Sequence, residues 1–92
     1  MLSISEYQYK TTDLNRTCSD INLIMVTTEY ECKLIVPQSL TGLRTQPQPE
    51  GEKIEANHPK NCYEIDGVLW WNNHENGSAH PNAGQICRTQ GR

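Results

Sequence analysis

The chain has no phenylalanine, and its large aromatics are six: Trp70, Trp71, Tyr7, Tyr9, Tyr30 and Tyr63. Hydrophobic residues make up 35 % of its 92 positions, and the mean hydropathy is -0.74. A chain this short hides only about two-thirds of its unfolded surface even when well packed. Ordering it costs on the order of 1.5 kcal/mol per residue, which leaves the hydrophobic balance near zero. Something besides apolar burial must therefore hold the fold. No run of 18 apolar residues exists, so no segment reads as a membrane-spanning helix. There is no basic excess either: 8 Lys and Arg stand against 11 Asp and Glu, for a net charge of -3. That balance argues against nucleic acid, whose affinity rests largely on phosphate neutralisation by Lys and Arg. Ser, Thr and His never assemble into a recognisable nucleophile motif. The chain is expected to be no enzyme and to need no cofactor.

Metal spacing is missing as well. No CxxC, HxxxH or HxxxC brings two ligands onto one turn, as zinc sites usually require. His74 and His80, with Glu75 between them, lie six positions apart in a Gly- and Pro-containing stretch and read as a solvated loop. His58, before Pro59, reads as exposed. What is present is an even set of cysteines, Cys18, Cys32, Cys62 and Cys87, with gaps of 14, 30 and 25 positions. In a short chain this is a disulfide frame, and four cysteines allow three pairings. Two N-glycosylation sequons, Asn15-Arg16-Thr17 and Asn76-Gly77-Ser78, fall where surface loops are expected. Disulfides and sequons together point to a secreted, extracellular glycoprotein. Met1 to Glu6 has neither the basic nor the apolar region of a secretory leader. The sequence therefore reads as a mature product or an incomplete one.

Along the chain, residues 1–17 stand outside the cysteine frame. Leu2, Ile4, Tyr7 and Tyr9 among polar neighbours read as a strand with a slip or bulge, and residues 11–17 read as polar linker. Residues 21–26 (INLIMV) read as a buried strand. Thr28 to Glu31 has the form of a capping box. It opens a helix whose stripe is Cys32, Ile35, Val36, Leu40 and Leu43. Pro37 should kink or break that helix, and Gly42 with Leu43 resembles a helix-ending glycine and its apolar contact. Residues 44–60 read as a long loop. The clearest element is 62–72. Asp66-Gly67 suits a two-residue type I′ hairpin turn, setting Ile65 opposite Val68, Tyr63 opposite Trp70 and Cys62 opposite Trp71. Both faces of this hairpin are apolar, and the helix covers only one. A short strand through Ile86 and Cys87 follows.

Three stretches are similar to a known pattern: Glu31-Cys32 leading to Leu40-Thr41-Gly42-Leu43; Pro59-Lys60-Asn61-Cys62-Tyr63; and Leu69-Trp70-Trp71-Asn72-Asn73-His74 with Gly77 and Ile86-Cys87-Arg88. Together, over about residues 18–88, they resemble an uncharacterised cysteine-framed module of extracellular proteins from algae, dinoflagellates and other protists. Its pattern is E-C-x-x-A-A-x-x-L-G-L, P-K-G-C-Y, Y-W-N-x-H-x-x-G and I-C-[KR]. Here Asn61 replaces a glycine, a residue is inserted before Gly42, and Pro37 falls inside the helix. The resemblance implies an accessory module without enzymatic role. By analogy with shorter members it also implies Cys32–Cys62 and Cys18–Cys87 pairing, the alternative being sequential Cys18–Cys32 and Cys62–Cys87.

The fold expected is a small disulfide-stapled α+β domain, one helix on a mostly antiparallel sheet. A strand-like extension over 1–17 precedes a cysteine-framed module over 18–92. The function expected is a secreted structural glycoprotein of an extracellular fibre or surface coat. It assembles with itself, head to tail, by adding Leu2, Ile4, Tyr7 and Tyr9 to a neighbour's sheet. Residues 10–17 could span roughly 25 Å to reach that neighbour. The rival is a carbohydrate-binding module using Trp70, Trp71, Asn72 and His74, since sugar faces stack on aromatic rings and amides bond hydroxyls.

Overall fold

A computed structural model of the chain describes residues 8–45, 52–53 and 56–89. Seven strands follow in chain order: β1 (Tyr9–Thr11), β2 (Ile24–Met25), β3 (Arg44–Thr45), β4 (Glu52–Lys53), β5 (Asn61–Ile65), β6 (Val68–Asn72) and β7 (Gly84–Arg88). A 3-10 turn at Cys18–Ile21 and one helix over 29–39 complete the elements of the described residues. The result is the expected small, disulfide-stapled α+β domain, with one helix on a mixed sheet.

The β5–β6 hairpin forms in the register read from its turn, with Cys62 opposite Trp71, Tyr63 opposite Trp70 and Ile65 opposite Val68. Asp66 and Gly67 both take positive φ, 55° and 81°. That combination defines a type I′ turn, whose twist matches the strands it joins. Asn61 enters β5 at φ 65°, a left-handed conformation that asparagine tolerates better than most residues. Its side chain is used as well, donating from Nδ2 to the Val26 carbonyl at 2.7 Å.

The short C-terminal strand is the centre of the sheet. β1 and β2 both pair with Arg88 and Cys87, so they must lie on opposite edges of β7. β5 joins the β2 side further up, at Gln85 and Gly84. On the far edge of β6, β3 and β4 run parallel to it. The stretch 44–60, expected as loop throughout, therefore contributes two short edge strands.

Alternation divides the sheet into two faces. One buries Tyr9, Leu69, Trp71 and Ile86 against Val26, Val36 and the Cys32–Cys62 disulfide, with Ile35, Leu40 and Leu43 packed alongside. Each large side chain buried there contributes about 1.5–3 kcal/mol. The two disulfides are Cys18–Cys87, which fixes the 3-10 turn to β7, and Cys32–Cys62, which fixes the helix to β5.

The helix departs from expectation in three ways. Pro37 does not break it. The turn Glu31–Ile35 widens into a π turn, in which the Val36 amide reaches the Glu31 carbonyl. The wider turn makes room for a ring that lacks an N–H and would clash one α turn back. The helix ends at Ser39, with an extended Leu40 as its cap. Gly42, at φ 90°, therefore serves the following turn and is no helix cap. The capping box is half formed: the Glu31 amide donates to Thr28 Oγ1 at 3.1 Å, but the Glu31 carboxylate turns away to Tyr9 and Arg88.

Residues 8–17 also differ from expectation. Within the chain they are structured and not a bare polar linker. β1 pairs with the chain's own β7, the Thr12 amide donates to the Gln85 carbonyl, and the Asn15 amide donates to the Ala83 carbonyl. Tyr9 is buried in the core. The boundary expected at residue 17 thus runs through structure that belongs to one sheet. Leu2, Ile4 and Tyr7 lie outside the described residues.

Candidate functional site

The sheet face away from the helix carries Lys10, Met25, Tyr63, Trp70, Asn72, Gln85 and Cys87, by the register of β1, β2, β5, β6 and β7. The chain covers much of this face with its own loops. Tyr63, Asn72 and Pro59 are fully buried. His58 is half-buried and stacks on His80 at 4.4 Å, with its ring 5.5 Å from Tyr63. It is not the exposed residue expected beside a proline. Two of the three histidines shape turns: His74 Nδ1 accepts from the Asn76 amide, and His80 Nδ1 accepts from the Asn82 amide. Among the described residues no group of three or more His, Cys, Asp or Glu side chains is placed to hold a metal.

Of the four residues considered for sugar, two belong to the fold. Trp71 is in the core and donates from Nε1 to Asn73 Oδ1 at 2.8 Å. Asn72 is fully buried and works as a bracket. Its Nδ2 donates to the Pro59 and His58 carbonyls, and its Oδ1 accepts from the His74 amide. A buried amide must be bonded this way, because leaving it unpaired costs about 1–3 kcal/mol. Trp70 and His74 are half-buried. In the sequence Asn72 reads as a surface amide, because the two carbonyls that bury its Nδ2 come from a loop more than ten residues upstream.

Gln85 is the residue that sequence reasoning missed. It is buried in β7, and its Oε1 accepts from the Cys18 amide at 2.7 Å. Its Nε2 donates to the Lys60 carbonyl at 2.8 Å, and its backbone amide to Thr12 Oγ1 at 2.9 Å. Its side-chain amide thereby ties Cys18 to Lys60, its backbone adds Thr12, and Cys18, Lys60 and Gln85 border a cavity of about 610 Å³ that opens on this face. The available signal was a glutamine between Gly84 and Ile86 in an otherwise apolar strand.

Both sequon asparagines are exposed. Asn15 sits in a left-handed turn at φ 65°. Asn76 lies in the turn before Gly77, whose own position admits no side chain: a Cβ there would meet the Lys60 amide nitrogen at 2.5 Å. Thr17 and Gly77, one from each sequon, both border the cavity. No helix among the described residues is long and apolar enough to cross a membrane. Comparison with protein-family models, curated proteins and solved structures finds no match for this chain.

Proposed function

We propose that the chain is a secreted structural glycoprotein, a non-enzymatic module of an extracellular fibre or surface coat. The observation that carries this reading is the exposure of both sequon asparagines on a domain closed by two disulfides. Two disulfides in so small a core suit an oxidising compartment, and the resemblance to extracellular protist modules agrees with it. Glycan on Asn15 and Asn76 is expected. Intact mass before and after glycosidase treatment should differ by two N-linked chains, and an unshifted mass in natural material removes the secreted assignment.

Assembly in this reading uses the segment ahead of β1. Among the described strands β1 pairs with β7 alone, so it stands at an end of the sheet. An edge strand offers a second row of backbone donors and acceptors to another chain. Head-to-tail addition through such an edge does not close on itself and yields a filament. The sugar-binding alternative is weaker, because Trp71 and Asn72 are buried in the fold.

The test is a truncation placed by the structure. Removing residues 1–7 spares Tyr9, which belongs to the core. Sedimentation velocity should then show a folded monomer where the full chain assembles. A full chain that stays monomeric at high concentration refutes the fibre, and a truncated chain that assembles equally well refutes the role of the segment. A cut after residue 10 should instead unfold the domain, since it removes the Tyr9 anchor.

A further inference from the structure

The most apolar run of the chain is not buried as a strand core. Val26 is fully buried, yet Leu23, Ile24 and Met25 are only half-buried. All three border the open cavity of about 610 Å³ described above, and by strand alternation Leu23 and Met25 turn their side chains to its side of the sheet while Ile24 shares the parity of the core residue Val26. Its size falls within the range of small-molecule sites. Gln85 and Lys60 also line it, but the Gln85 amide is already bonded to Cys18 and Lys60 backbone groups. Gln85 therefore holds the wall in place and offers little to a ligand. Gly77 packs tightly on the Lys60 backbone, which fixes the other rim.

Among the described lining residues Lys60 alone carries a formal charge. Its ammonium has three donors, and the His74 carbonyl accepts from it at 3.5 Å, the long limit for such a bond. The other polar groups are the hydroxyls of Thr17, Ser19 and Thr27. The cavity thus has an apolar wall and a lysine at its rim, whose ammonium is held only by one long bond and is within a side-chain rotation of the opening. A sugar would leave Leu23 and Met25 facing polar groups. A plain hydrocarbon would strip water from the Lys60 ammonium without replacing its bonds.

We infer that this cavity binds a small anionic amphiphile, with its hydrocarbon body on Leu23 and Met25 and its carboxylate on the Lys60 ammonium. This is independent of the fibre reading, because the cavity is complete within one chain. Titration calorimetry of the disulfide-bonded full chain with decanoate, and with decanol as the uncharged control, tests it. Decanoate should bind saturably at one site. Lys60→Met keeps the apolar stem and should weaken decanoate by roughly tenfold or more, the usual worth of a charge-assisted bond, with decanol changed less than about twofold. Met25→Glu should abolish both, with near-ultraviolet circular dichroism confirming the fold. Absence of saturable decanoate binding to the unmodified chain overturns the proposal. So does equal loss of decanoate and decanol in Lys60→Met. A dimer that decanoate fails to dissociate would assign the cavity to a second copy and overturn it too.

Discussion

Removing either disulfide should cost a large part of the stability of this domain, and Cys32–Cys62 should matter more although it closes the shorter loop. Chain entropy alone gives about 4.4 kcal/mol for Cys18–Cys87, whose partners are 69 positions apart, and about 3.6 kcal/mol for Cys32–Cys62, at 30 positions. Packing reverses that order. Cys32 and Cys62 sit in the core cluster between Val36, Leu69 and Trp71. Deleting their sulfurs leaves a void the core must carry, adding about 1–2 kcal/mol. Cys18 instead borders the open cavity, where neighbours can relax and water can enter. A 92-residue domain has about 5–14 kcal/mol of stability in total. Cys32→Ala with Cys62→Ala should therefore leave a marginal fold, and loss of both disulfides should leave none. Guanidinium unfolding of the two double variants reads this directly. A larger loss from the Cys18–Cys87 pair would show that loop entropy governs. Unchanged midpoints would mean that the thin core holds the fold unaided.

The parts legible in the sequence were those whose partners are local. Asp66-Gly67 between alternating apolar residues fixed a turn type, and the turn fixed five pairs in register. The helix stripe was visible for the same reason, since three- and four-residue spacing is a local signal. Apart from the turn widened at Pro37 and the early helix end before Gly42, the failures involve distant partners. Thr28 to Glu31 reads as a capping box, but Glu31 finds Arg88 across 57 positions, and a buried ion pair outcompetes a solvent-facing cap. The run INLIMV reads as a buried strand because composition reports how apolar a segment is, while the shape of what lies opposite decides whether it is covered. Polar residues 11–17 read as linker, because nothing local announces that Gln85 and Ala83 carbonyls will receive their amides. Sheet order around β7 is likewise set by contacts between the two ends of the chain. The cavity was illegible for a related reason: Leu23, Lys60, Gly77 and Gln85 meet only once that order exists.

Arg88→Met should be among the most damaging single changes outside the disulfides, lowering stability by about 3–5 kcal/mol. The Glu31 carboxylate is nearly buried, and one oxygen, Oε2, accepts from Tyr9 Oη at 2.6 Å and from Arg88 Nη1 at 2.9 Å. Those two donors come from β1 and β7, and the acceptor from the helix, so the three groups close the apolar core at one end. Without Arg88 the carboxylate is left with the tyrosine hydroxyl in place of a cation. Stripping most of its water from an ion costs several kcal/mol unless a counter-charge compensates. Tyr9→Phe keeps the ion pair and the ring, and should cost only about 1.5–3 kcal/mol, the worth of a hydrogen bond to a charged group. The contrast with a surface pair is useful. Lys33 and Glu29 also meet at 2.6 Å, but Glu29 is well exposed, and the pair should contribute less than about 1 kcal/mol. If burial of an unpaired charge is the cause, removing that charge should repair the damage. The double variant Glu31→Met with Arg88→Met should recover most of the stability lost in Arg88→Met, because two apolar side chains replace the pair at no cost in unpaired charge. Urea unfolding of the single and double variants gives the coupling energy. A double variant no more stable than Arg88→Met would mean that an unpaired Glu31 charge is not what destabilises Arg88→Met, and that the ion pair itself contributes little.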